Sequence, residues 1–130
     1  MTFDAIGIAG TGLTLHRKWL DAVSDNLANV NTVRGTDDEA FRARYVVAQA
    51  GEGTTGVYVQ GAAYGDAEGR VVYEPDHPLA DEAGYVRYPE IDMASQMGQL
   101  IMAQRGYQAS AAVVDRAKEA YQAAIQIGRA

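Results

Sequence analysis

Apolar residues at the start of the chain recur every seven positions: Ile6, Leu13, Leu20 and Leu27, followed three places behind by Ala9, His16, Val23 and Val30. This a/d seam predicts a helix over residues 3–30 that keeps one stripe facing a single partner along a gentle supercoil. Residues 92–127 carry a second seam. Met93, Leu100, Tyr107, Val114 and Tyr121 form one row; Met97, Ala111 and Ile125 form the row four behind, broken by Gln104 and Lys118. Asp92 suits an N-cap after Pro89, and Gly128 suits a C-terminal stop, with Arg129 placed for the negative end of the helix dipole. Such a helix is about 54 Å long. A compact chain of this size has a radius of gyration of only roughly 14 Å.

Between the seams the pattern changes. Residues 41–50 ("FRARYVVAQA"), 56–64 ("GVYVQGAAY"), 70–74 and 85–88 have the β-branched and aromatic content of strands, with turn-like "GEGTTG" and "GDAEG" between them. All of Pro75, Pro78 and Pro89 lie in this middle stretch. The predicted fold is α+β: long N- and C-terminal helices paired as an antiparallel coiled coil, with a small β-rich module inserted. The corresponding division is residues 1–35, 36–90 and 91–130. Gly7, Gly10 and Gly12 weaken the first helical turns by roughly 1 kcal/mol each, which predicts a frayed start in the lone chain.

Neither helix hides its stripe alone, so the simplest arrangement pairs them. Trp19, Tyr107, Tyr121 and the alanine-rich stretches 109–112 and 120–124 predict burial beyond a two-helix contact, by lateral packing against other chains. The plainer reading is a monomeric helical domain with an ordinary core. Where the first seam ends, "DNLANVNTVRG" (25–35) sets Asn26, Asn29 and Asn31 at the close of the helix. Asn29 and Asn31 tolerate turn conformations and cap the last carbonyls. Asn26 lies on the same face as Asn29, where its amide can bond a neighbouring helix.

Charge and composition narrow the partners. The 130 residues carry 17 acidic against 11 basic side chains, a net charge of −6, so phosphate-rich nucleic acid is a poor match. No apolar run of about 18 residues spans a membrane. Asp4 and the early glycines do not read as a secretory signal. The absence of cysteine removes disulfides, thiol catalysis and thiolate metal sites.

Candidate chemistry is sparse. "GIAGTG" (7–12) is spaced G-x-x-G-x-G, with no strand before it, so it reads as a flexible helix start rather than a dinucleotide loop. His16 sits on the seam as an interface residue. His77, among Glu74, Asp76, Asp81 and Glu82, offers oxygen and imidazole ligands for a divalent ion. The flanking Pro75 and Pro78 describe a rigid turn instead, with Asp76 bonding backbone amides. Ser24, Ser95 and Ser110 all fall on predicted helices, away from any nucleophile turn. Asp37–Asp38 and Asp81–Glu82 read as solvated pairs. The sequence therefore assigns no catalytic, cofactor-binding or metal-binding residue, and no enzyme.

Three segments resemble the flagellar basal-body rod protein family, in particular its proximal-rod subunits. "DNLANVNTVRG" is similar to an N-terminal hallmark in which "NLANVNT" precedes Pro-Gly-Tyr. "YEPDHPLADEAGYVRYPEIDM" (73–93) resembles the family's "HPxAdxxGYV" segment. "AQRGYQASAAVVDRAKEAYQAAIQIGRA" (103–130) resembles its C-terminal helix. Val33, Ser110 and Gly106 depart from the usual proline, asparagine and alanine. The resemblance implies a structural subunit of the bacterial flagellar proximal rod. Such a subunit assembles helically through its terminal helices, transmits torque, and takes no cofactor. Its implied partners are itself, other rod subunits, and ring and export-apparatus components. Its implied location is the periplasmic rod of the basal body, reached by type III export without a cleaved signal peptide.

The residues expected at the assembly interface are Ile6, Leu13, Leu20, Leu27, Val30, Asn26, Asn29 and Asn31 from the first helix. Leu100, Arg105, Tyr107, Val114, Tyr121 and Ile125 come from the second, with Arg105 reaching a carboxylate on an adjacent helix. The competing expectation is a soluble ligand-binding β module that recognises its ligand through residues 74–86 and dimerises through its helices.

Overall fold

The computed structural model describes residues 2–129, with side chains from Asp4 to Arg129. The order of elements is α1 (Thr2–Ala28), β1 (Arg44–Ala50), β2 (Val57–Tyr64), β3 (Arg70–Tyr73), β4 (Tyr85–Tyr88) and α2 (Met93–Arg129). The fold is α+β: two long helices, one toward each end of the chain, pack against each other, with small antiparallel hairpins between them. β1 pairs with β2, and β3 with β4.

α1 runs without a break through Gly7, Gly10 and Gly12, where the sequence predicts fraying. Gly12 has a packing reason: it is buried, and a methyl there would lie 2.8 Å from the Ser110 hydroxyl of α2. α1 ends at Ala28, two residues before the end its seam predicts. Asn29 closes it, its amide Nδ2 donating to the Asp25 carbonyl at 2.8 Å and its Oδ1 accepting from the Thr32 hydroxyl at 3.0 Å. α2 opens on Asp92, whose carboxylate accepts from the Ala94 and Ser95 amides at 3.3 and 3.2 Å. That is the N-cap the sequence predicts. Gly128 does not stop α2, which continues to Arg129.

The chain forms two compact units. The first comprises Met1–Leu20, Val46–Gly61 and Ile101–Ala130. Its two helix segments run antiparallel, with His16 against Gly106 and Gly12 against Ser110. Among the described residues, Ala9, Gly12 and Ala103 are its buried ones. The close approach at Gly106 leaves no room for a side chain: a methyl there would overlap Nε2 and Cδ2 of the His16 imidazole. His16 is fixed from the other side, its Nδ1–H donating to the Gly12 carbonyl at 2.7 Å.

The second unit comprises Asp21–Tyr45 and Ala62–Leu100. Ala22, Val23, Asn26, Ala40, Ala43, Gly84, Val86, Pro89 and Gln96 are its buried residues. β3 and β4 pair from Arg70↔Tyr88 to Tyr73↔Tyr85, which turns Val86 inward at 0% exposure. Arg34 bridges the outer edge of β4, exchanging both backbone hydrogen bonds with Arg87 at 2.9 Å. Gly69 must be glycine: its φ is +59°, and a methyl would overlap the Tyr88 carbonyl oxygen.

The heptad reading of α1 matches its burial. Ile6, Leu13, Leu20 and Leu27 are half-buried, and Ala9 and Val23 are buried. On α2 only Gln96 and Ala103 are buried; Gly106, Ser110 and Ala117 are half-buried, as are Leu100 and Val114 of the apolar row, while Met93, Met97, Tyr107, Tyr121 and Ile125 are exposed. Small residues stand at Gly106 and Ser110 because the helices approach closely there.

Candidate assembly surface

The most enclosed polar group in the second unit is Asn26, at 0% exposure. It stands in the last full turn of α1, facing both the start of β1 and the start of α2. Its Oδ1 accepts from the Arg44 amide at 2.8 Å, and its Nδ2 donates to the Arg44 carbonyl at 3.0 Å. The side chain thereby pairs with β1 as a neighbouring strand would. The same Nδ2 donates to Oε1 of Gln96, itself 2% exposed, at 3.1 Å. Asp25 completes the arrangement by an ion pair with the Arg44 guanidinium. One dipeptide therefore holds Arg44 by both its backbone and its side chain, and ties α1, β1 and α2 together. A buried amide costs free energy unless its bonding capacity is met, and here it is met.

The other residues expected at an interface fall into two groups. Leu27 and Val30 are half-buried in this unit, as are Ile6, Leu13 and Leu20 in the first. Leu100 and Val114 are also half-buried, and Asn29 serves as the cap described above. Asn31, Arg105, Tyr107, Tyr121 and Ile125 are exposed. Beyond Ala117 every described residue of α2 is exposed, including Ile125 at 40% and Ile127 at 78%. The same helix also bares Ile101 and Met102. Sequence reasoning missed Gln96, Arg44 and the Ala103–Gly106–Ser110 line. Gln96, Ala103 and Ser110 did carry a signal, a seven-residue spacing of small or polar residues that an apolar count passes over; Gly106 and Arg44 lie off that spacing.

The 74–86 segment is a turn. The Leu79 amide donates to Nδ1 of His77 at 3.0 Å, so that nitrogen is already engaged. Asp81 accepts from the Ala83 and Tyr85 amides at 3.0 and 2.9 Å and from the Thr36 hydroxyl at 2.9 Å. The Tyr85 amide, then the Thr36 hydroxyl, hold the Asp81 carboxyl below its usual range. Tyr88 donates to Glu74 at 2.9 Å, and that bond pushes the phenol above its usual range. Among the described residues no cluster of three or more His, Cys, Asp or Glu is arranged to hold a metal ion. No helix is long and apolar enough to cross a membrane, again among the described residues.

The chain is α+β, two long helices with small hairpins between them, and it leaves apolar residues bare along the second helix, which marks a surface that other chains cover. Comparison with known proteins agrees at both ends. Residues 6–34 match the flagella basal body rod protein family, and residues 82–127 match the flagellar basal body rod FlgEFG protein C-terminal family. The chain is 36% identical over 126 residues to flagellar basal-body rod protein FlgC of Salmonella typhimurium, covering 94% of each chain. It is 29% identical over 147 residues to FlgC of Borreliella burgdorferi, covering 96% of each, and 27% identical to FlgC of Bacillus subtilis, covering 98% of each. The chain belongs to the flagellar basal-body rod protein FlgC family, a family of structural rod components.

Proposed function

We propose that this protein is a structural subunit of the flagellar proximal rod, built into the basal body beside other rod subunits and transmitting torque through its terminal helices. The observation that carries the reading is the apolar surface of α2 that its own chain leaves uncovered, continuing to Ile125 and Ile127 at the end of the helix. In this reading residues 1–35 and 91–130 are the assembling arms, and residues 36–90 form the module between them. The interface residues are Ile6, Leu13, Leu20, Leu27, Val30, Asn29 and Asn31 on one arm, with Asn26, enclosed by its own chain, bracing that arm from within. Leu100, Arg105, Tyr107, Val114, Tyr121 and Ile125 stand on the other. Arg105 is exposed, with no ion pair among the described residues. Its fork suits a carboxylate on an adjacent subunit. The reading extends to contact with ring and export-apparatus components, export through the type III apparatus without a cleaved signal peptide, and a periplasmic position. Nothing favours the ligand-binding alternative, since Glu74, His77 and Asp81 of the 74–86 segment are engaged with their own chain.

The test replaces Tyr121 and Ile125 together by glutamate in a host lacking its own copy. Both side chains are exposed, so the helicity of the purified chain is expected to hold while motility and basal-body incorporation are lost. Motility equal to that of the unaltered chain refutes the reading.

A further inference from the structure

Charge is unevenly divided between the two units. Of the chain's 17 acidic and 11 basic side chains, 13 and 5 fall in the second unit and 4 and 6 in the first; the net charges are −8 and +2, which together make −6. Each unit also leaves apolar surface in the open. In the second unit Val72 pairs with Val86, which is buried, so Tyr73 and Tyr85, the next pair in the register, face outward at 62% and 41% exposure. Their rings meet edge to face at 5.2 Å. Tyr64 and Tyr88, by contrast, lie under arginines of the same unit, Arg42 at 5.5 Å and Arg70 at 5.1 Å. Asp76 stands three residues after Tyr73, and Glu82 three before Tyr85. Both are exposed, and neither has an ion pair among the described residues. In the first unit a cleft of about 340 Å³ lies between α1 and β2, lined by Thr11, Thr14, Leu15 and Lys18 on one side and Val57 and Tyr58 on the other. Lys18 is the one charged group lining it among the described residues; it is exposed and likewise has no ion pair there.

We infer that the end of the β3–β4 hairpin of one copy docks in the Lys18 cleft of the next. The Lys18 ammonium then meets the carboxylates of Asp76 and Glu82 and the open face of the tyrosine pair, the kind of cover that Tyr64 and Tyr88 receive within their own unit. The apolar wall of Leu15 and Val57 takes the ring surface. The hairpin end is already fixed by the bonds of Asp81 to the Ala83 and Tyr85 amides and to the Thr36 hydroxyl, so little ordering cost opposes docking. Charge selects a second copy as the occupant. Two copies of a chain of net charge −6 repel as wholes, but the acidic unit of one and the basic unit of the other attract. Each copy carries one hairpin end and one cleft, so the contact is head-to-tail and propagates from copy to copy. The inference rests on the rod reading above, which supplies the array in which copies meet.

The test is a charge exchange in a host lacking its own copy. Lys18→Glu is one parent; Asp76→Lys with Glu82→Lys is the other. The side chains are exposed, so the helicity of each purified chain should hold, while incorporation into basal bodies falls by about tenfold or more. All three changes in one chain should recover most of it, because every copy then offers a basic hairpin end to an acidic cleft. Full incorporation of either parent overturns the docking. An exchanged chain no better than its parents overturns the second copy as occupant. Should a reversed charge unfold the chain, a cysteine pair decides, since the chain has no cysteine of its own. A tagged chain with Tyr73→Cys is expressed together with an untagged chain with Thr14→Cys, and the cells are oxidised. A disulfide-linked pair of one tagged and one untagged chain is expected, with each variant monomeric when expressed alone. Basal bodies that contain both chains but no such pair overturn the contact and leave the rod reading intact. A link to a different protein overturns the second copy. If even the unaltered chain fails to enter basal bodies, the rod reading falls and the docking with it.

Discussion

Replacing Asn26 with alanine removes three hydrogen bonds from a fully enclosed side chain. It strands the amide and carbonyl of half-buried Arg44 and the Oε1 of buried Gln96. Each buried polar group left without a partner costs about 1–3 kcal/mol. Water can reach part of Arg44 but not Gln96, so the expected loss is about 2–4 kcal/mol. With a urea dependence of about 2 kcal/mol per molar for a chain of this size, the unfolding midpoint should fall by about 1–2 M. The assay is urea unfolding followed by helicity. Asn26→Asp sharpens it. The carboxylate keeps the acceptor for the Arg44 amide but loses both donations and faces two oxygens, so it should be no more stable than the alanine variant. Replacing Asn26 and Gln96 together by leucine should cost less than the sum of the two single leucine changes, because no partner is stranded. A shift below about 0.5 kcal/mol for Asn26→Ala, the range of ordinary surface changes, refutes the claim that this amide organises the unit.

Other outcomes follow from the same geometry. Gly106→Ala should destabilise by about 1–3 kcal/mol through overpacking against His16, and a companion His16→Ala should recover much of the loss in thermal melts. Gly10→Ala should stabilise the chain by about 0.5–1 kcal/mol, because the site is helical and open, with nothing within 4 Å of the added methyl; equal or lower stability counts against a purely intrachain account of that glycine. The depressed Asp81 carboxyl contributes stability that is present above its ordinary value of 3.8 and is lost as pH falls through its lower folded value. Protection of the Ala83 and Tyr85 amides, taken relative to their intrinsic exchange rates, should therefore fall only in acid below about pH 4, and Asp81→Ala should remove the transition.

How much of this was legible beforehand depended on what each residue contributes. The α1 seam was readable because Ile6, Leu13, Leu20 and Leu27 are large and apolar, and all are half-buried. The β segments were readable from valine and tyrosine content, with β4 appearing at the predicted residues 85–88. α2 was readable as a helix but not in its orientation. Tyr107 and Met97 look like core, yet they are exposed, while Gln96 and Ala103 are buried. Apolar periodicity finds where bulk is spent on burial. It is blind where burial is reached by removing bulk, as at Gly106, or by matching amides, as at Asn26. Asn26 itself was singled out from its helical face, but Arg44 and Gln96 lie 18 and 70 residues away along the chain, and no local pattern connects them.

The line of glycine, alanine and serine where α1 meets α2 in the first unit has a mechanical side. Long side chains at a helix contact can change rotamer and let one helix creep past the other under shear. Gly12, Ala103, Gly106 and Ser110 have almost no such freedom. Twisting stress applied there is borne by the main-chain ladders of the helices themselves, which makes the junction a stiff spring rather than a lubricated one.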